Sequence, residues 1–140
     1  MPNVNEAFAH LAETAQQTFA RVMPGLRSGG VKHQEATGDD DAAYPLEICN
    51  WIVFGHVWNR PGLSTRERRI LTISEIASAP VEGALRTHVR AALNSGDLSP
   101  ADLGELITHF AFYAGMPRAS ALNKVVQAEV ADWRKESGGA

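Results

Sequence analysis

Apolar residues return every three or four positions along most of the chain, and no hairpin signal interrupts them. Phe8, Leu11, Ala12, Ala15, Phe19 and Val22 make one such stripe over residues 4 to 23, which Pro24-Gly25 ends. Pro45 to Trp58 is dense in apolar side chains, from Leu46 and Ile48 through Trp51, Ile52, Val53 and Phe54 to Val57 and Trp58. Its Ile, Val and aromatic content would also suit a buried strand, and periodicity alone does not decide. Its length and the proline at its start favour a helix buried on most sides, with Cys49 inside. Asn59-Arg60-Pro61-Gly62 reads as a turn. Ser64-Thr65-Arg66-Glu67 fits a capping box, which predicts a helix to about Ser78. Leu63, Ile70, Ile73 and Ala77 are its inward stripe, with Arg66 in phase.

Ala79-Pro80 breaks that helix. Leu85, His88, Val89 and Ala92 are then periodic, so His88 lies within an apolar stripe. Gly96 stands where a left-handed cap is usual. Ser99 supplies the next N-cap, Pro100 suits the first helical position, and Asp102 complements the helix start. In this helix Leu103, Leu106, Ile107, Phe110 and Ala114 form the core face. Glu105, His109 and Tyr113 repeat every four residues beside it as a polar stripe. Gly115-Met116-Pro117 opens a last helix, periodic in Leu122, Val125, Val126, Val130 and Trp133. The predicted fold is all-α: about six helices in a compact bundle with antiparallel helix pairs.

The organisation follows from these breaks. Residues 1–44 are an N-terminal helix plus a Gly-rich and acidic loop, residues 45–134 a helical domain, and residues 135–140 a frayed tail. The loop is longer than most connections in compact domains. Its Asp39-Asp40-Asp41 run invites a hard-cation reading, but no liganding spacing supports one, and a solvated loop explains it.

Composition excludes more than it suggests. The 140 residues carry 13 basic and 16 acidic side chains, a net charge of −3, which disfavours nucleic acid and anionic membranes as partners. One cysteine allows no intrachain disulfide and no Cys pair for zinc or redox work. No signal pattern or apolar run of membrane-spanning length is present, so a cytoplasmic protein is expected. P-loop, dinucleotide, zinc-type His-Glu-x-x-His and nucleophile-elbow motifs are missing.

The remaining chemistry sits in histidine, arginine and carboxylate side chains. Arg60, Arg66, Arg68, Arg69, Arg86 and Arg90 crowd into two segments of an acidic protein, and guanidinium clusters suit carboxylates or bound anions. Arg69 and Arg86 are expected to be solvated. His88 reads either as a satisfied core histidine or as a functional group. The Glu105-His109-Tyr113 stripe reads either as a helix–helix hydrogen-bond network or as a proton-transfer set.

Several blocks together resemble the carboxymuconolactone decarboxylase family. They are Phe54-Gly55-His56-Val57-Trp58-Asn59-Arg60-Pro61-Gly62-Leu63, then Arg66 and Arg68, then His88 to Gly96, then Glu105 to Pro117. The resemblance implies an all-α fold assembling as a cyclic homo-oligomer, a trimer or hexamer, with sites near subunit contacts. One branch of the family uses Cys-x-x-Cys four and seven residues before the histidine that His88 matches. Those positions hold Ala84 and Val81 here, and the acidic residue that assists those thiols is replaced by Arg69. Thiol peroxidase chemistry is therefore not expected.

The decarboxylase branch removes CO2 from a carboxylated γ-lactone in aromatic breakdown. Electrons left by CO2 delocalise onto the lactone oxygen, so neither a metal nor an organic cofactor is required. The enzyme must hold a small anionic substrate, stabilise an oxyanion and return a proton to carbon. The resemblance implies His88, Glu105 and His109 as catalytic groups, with Arg60, Arg66, Arg68, Trp58 and Tyr113 binding substrate. One alternative uses the same residues for decarboxylation, isomerisation or ring closure of another small oxo-acid or lactone; a second is a non-catalytic helical oligomer that keeps only the scaffold.

Overall fold

The structure, a computed structural model, describes residues 7–26, 44–79 and 81–138, with the side chains of residues 44–47 left aside. The expected acidic loop with Asp39, Asp40 and Asp41 lies outside the described residues. Six α-helices are described: α1 (Ala12–Val22), α2 (Tyr44–Gly55), α3 (Thr65–Ala77), α4 (Glu82–Ser95), α5 (Pro100–Ala114) and α6 (Met116–Glu136). Short 3-10 turns occupy Ala9–Leu11 and Val57–Asn59, and the described residues contain no strand. The chain divides into two units, Met1–Leu63 and Ser64–Ala140.

In the first unit α1 buries Ala15, Thr18 and Val22. Phe19 meets Phe54 edge-on at 5.0 Å, and Phe54 stacks on Trp58 at 6.4 Å. The turn that follows α2 is fixed by Asn59. Its Nδ2 donates to the carbonyl of Phe54 at 2.9 Å and to Thr18 Oγ1 at 2.8 Å, and its Oδ1 accepts from Arg21. One amide thus satisfies a helix-end carbonyl and ties α2 to α1. Gly55 lets the backbones close up, since a Cβ there would lie 2.9 Å from both Cβ and O of Leu11.

Helix α2 is not buried on most sides. Trp51, Phe54 and Gly55 face inward, while Cys49 is exposed, contrary to the expectation for its thiol. The apolar run is continuous in sequence, but only one face of it, the 51–54–55 arc, meets α1 and its own turn.

In the second unit the predicted capping box at Ser64 is present, and Ser99, read from the sequence as an N-cap, forms a second one. Ser64 Oγ accepts from the Glu67 amide while Glu67 accepts from the Ser64 amide, and Ser99 with Asp102 repeats the pattern. Each ties down orphan N–H groups at a helix start. Gly96 closes α4 with φ 76°, a conformation that costs a side chain heavily. The core gathers Ile73, Leu85, Val89, Leu98, Leu103, Phe110, Leu122 and Val126 from all four helices. Helices α4 and α6 are also joined by charge. Glu129, almost buried, accepts from Arg86 at 3.0 Å and from Arg90 at 2.9 Å, and Arg90 also reaches Glu136.

Two expectations for α3 fail together. Leu63 is exposed, and the buried arc of α3 centres on Arg69 and Ile73. Arg69 is fully buried, not solvated, whereas the Arg86 side chain stays 41% exposed beside Glu82 and Glu129. The reason for the first is a carboxylate partner far along the chain, Asp97.

Candidate active site

Arg66, Ile70 and Ser74 lie at four-residue spacing on one face of α3. On α5, Asp102, Glu105, Leu106, His109, Phe110 and Tyr113 share a face in the same way. The two faces, with Leu98 from the α4–α5 turn, line a cleft of about 440 Å³. That volume suits a small organic molecule. Four residues singled out by the sequence, Arg66, Glu105, His109 and Tyr113, therefore line one cavity.

Its polar wall has a definite order. Arg66 Nη2 lies 3.0 Å from Asp102 Oδ1, while the other oxygen of Asp102 accepts from the Ser99 amide at 2.8 Å and its hydroxyl at 2.7 Å. The Ser99 backbone and side-chain bonds, then Arg66, hold the Asp102 carboxyl below its ordinary range. The rings of His109 and Tyr113 stack at 4.7 Å, aligning imidazole and phenol along one wall. Glu105 stands one turn before His109 on the same exposed edge. A guanidinium, two carboxylates, an imidazole, a phenol and Ser74 thus line a hollow whose other walls are apolar. Such a set can bind a carboxylate and move a proton.

His88 does not line this cleft. It sits on α4, half-buried, with Nδ1 3.4 Å from Nη1 of Arg69. Burial, and then the Arg69 charge, pull its pKa down from 6.5 to about 4, so the imidazole is neutral near pH 7. The charge beside the ring belongs to Arg69, on α3. Arg90 faces Glu129 and Glu136. Nε and Nη2 of Arg69 each donate to Asp97 Oδ2 at 3.2 Å. Burial lowers the Arg69 pKa and Asp97 opposes that shift, so the guanidinium stays charged. Arg69 and Asp97 immediately precede Ile70 and Leu98, two lining residues of the cleft.

The other candidates lie elsewhere. Arg68 is half-buried on α3 and does not line the cleft. Trp58 is buried in the first unit, against Phe54, and Arg60 is exposed in the same unit. Arg69 and Asp97 are the polar pair that the sequence reading missed. The available signal was Arg69 four residues before the core position Ile73, together with an aspartate directly after the Gly96 cap. Among the described residues no cluster of three His, Cys, Asp or Glu side chains could hold a metal ion. No described helix is long and apolar enough to cross a membrane.

The chain is 35% identical over 95 residues to the 4-carboxymuconolactone decarboxylase of Acinetobacter baylyi, covering 66% of this chain and 70% of that protein. It is 33% identical over 85 residues to the nitrosuccinic acid decarboxylase npaB of Metarhizium robertsii, covering 61% and 58% of the two chains. An uncharacterized 15.0 kDa protein of Paracoccus denitrificans, from the nqo9-nqo10 intergenic region, is 28% identical over 131 residues, 92% of this chain and 94% of its own. No solved structure matches significantly. Residues 49–128, more than half of the sequence, match the carboxymuconolactone decarboxylase family, and the chain belongs to that family.

Proposed function

We propose that this chain is a cofactor-independent decarboxylase of a small carboxylated γ-lactone of the 4-carboxymuconolactone type, acting in the α3–α5 cleft. The observation that carries the reading is the convergence of Arg66, Glu105, His109 and Tyr113 on one cavity in a member of this family. Arg66 receives a substrate carboxylate, partly displacing Asp102. Loss of CO2 breaks a carbon–carbon bond and leaves its electron pair on the conjugated lactone, whose oxygen takes up the charge. His109, with Glu105 one turn away, returns a proton to carbon, and the Tyr113 hydroxyl donates to the developing oxyanion. His88, outside the cleft, is held as a neutral donor, and Arg60 and Arg68, which do not line it either, take no part in this step. Val81 and Ala84 in place of the paired cysteines support a reading on the decarboxylase side of the family.

A second substrate reading has a specific support, the likeness to a nitrosuccinic acid decarboxylase. In both compounds the departing carboxylate neighbours a group that accepts the electron pair, so the same cleft chemistry serves. Assembly belongs to the proposal too. Phe112, Tyr113 and Met116 are 86%, 82% and 70% exposed where α5 passes into α6, an apolar surface suited to a neighbouring copy in a trimer or hexamer. Trp51, Phe54, Trp58 and Phe110 are by contrast buried within the single chain.

The test is CO2 release by the purified full chain, dialysed against chelator, from 4-carboxymuconolactone and from nitrosuccinate. Saturable release from either supports decarboxylation and selects the substrate class. No release from either, by correctly folded protein, overturns the reading and leaves an isomerase or cyclase, or the non-catalytic oligomer.

A further inference from the structure

We propose that Arg69 is a positioning residue that fixes the tautomer of His88, holding Nδ1 as an acceptor and the proton on Nε2. A guanidinium carries only N–H donors, so whatever atom it meets must accept. Arg69 Nη1 meets His88 Nδ1 at 3.4 Å. A proton on Nδ1 would set two N–H groups of like polarity against each other. In the neutral ring the single proton then belongs on Nε2, which becomes a donor.

The arm that imposes this is built rigidly. Arg69 has no exposed surface, and its Nε and Nη2 are anchored on one oxygen of Asp97, itself 15% exposed. Asp97 leaves the charge on the guanidinium and fixes the plane from which Nη1 reaches the imidazole. The order Asp97, Arg69, His88 reverses the usual carboxylate–histidine pairing. A carboxylate against Nδ1 would draw a proton there and stabilise imidazolium, whereas an arginine excludes both. The arrangement therefore selects for donation by a neutral N–H and against storage of a positive charge on His88. Its catalytic meaning rests on the decarboxylase reading; the tautomer itself does not.

The experiment is nitrogen-detected NMR of the ring of His88 in the full chain labelled at histidine, assigned with His88→Gln. In the parent protein Nε2 should show the protonated, pyrrole-type signal and Nδ1 the lone-pair type, unchanged from pH 8 to 5.5. Arg69→Met combined with Asp97→Asn removes the donor without stranding a carboxylate. In that variant the Nδ1–H form should appear, and the ring should titrate at a higher pH than in the parent. A parent spectrum with the proton on Nδ1 overturns the proposal, even if the double variant does not fold. So does a folded double variant whose tautomer and titration match the parent. Absence of CO2 release by the parent protein, with the NMR result intact, would count against the decarboxylase reading alone.

Discussion

Arg66 Nη2 stands 3.0 Å from Asp102 Oδ1, so the one guanidinium lining the cleft is held by the carboxylate that caps α5. Both side chains are substantially exposed, so solvent screens the pair and it contributes little to stability. The contact thus keeps Arg66 poised without locking it. An incoming carboxylate competes with Asp102 for the same fork.

That competition sets the first prediction. Asp102→Asn keeps an oxygen for the Ser99 amide but removes the rival charge. It should lower KM for the carboxylated substrate roughly two- to fivefold with the fold intact. Arg66→Gln should raise KM about tenfold to a hundredfold, the cost of a charge-assisted bond. Steady-state kinetics at fixed ionic strength measures both.

The Glu129 crossing of α4 and α6 should matter more for stability. Its carboxylate is almost buried and takes bonds from Arg86 and Arg90. Glu129→Ala leaves both cations without that partner and should cost about 3 kcal/mol in urea unfolding, with little dependence on salt. Glu129→Gln, which retains acceptor geometry, should cost less. Equal stability of Glu129→Ala and the parent would show the network to be idle.

His88 makes stability depend on pH with a definite sign. Its folded pKa, about 4, is below the unfolded value of 6.5, so between these values the unfolded chain binds a proton that the folded chain refuses. This contribution falls as pH drops through that window and is flat above it. The loss from His88 between pH 7 and pH 5 should be about 2 kcal/mol. His88→Gln should remove that slope, read as the difference between the two proteins' unfolding free energies across pH.

At the α1–α2 contact, Gly55→Ala should destabilise although alanine is the better helix former. The added Cβ would enter the space of Leu11, and overpacking of this kind costs about 1–3 kcal/mol. A lowered unfolding midpoint is expected, and a raised one would show that the Leu11 backbone yields freely.

What the sequence made legible was local. Ser64, Ser99 and Gly96 announce helix ends through interactions within four residues, and the structure places each as read. The Glu105-His109-Tyr113 stripe was legible because four-residue spacing alone puts these groups on one face. Arg69 was not, because its burial depends on Asp97, 28 residues away, and on how α3 packs against α4. Cys49 misled for a related reason. A run of apolar residues shows that a helix has something to bury, but its partner decides which face is covered.

The most direct test of the central claim, that acid–base groups in the α3–α5 cleft carry out decarboxylation, is the rate of CO2 release by His109→Gln. The glutamine can still hydrogen-bond but cannot deliver a proton to carbon. With folding and assembly verified, the account predicts a turnover reduced by roughly 10²–10⁴-fold with KM little changed. Turnover at the parent rate would contradict it.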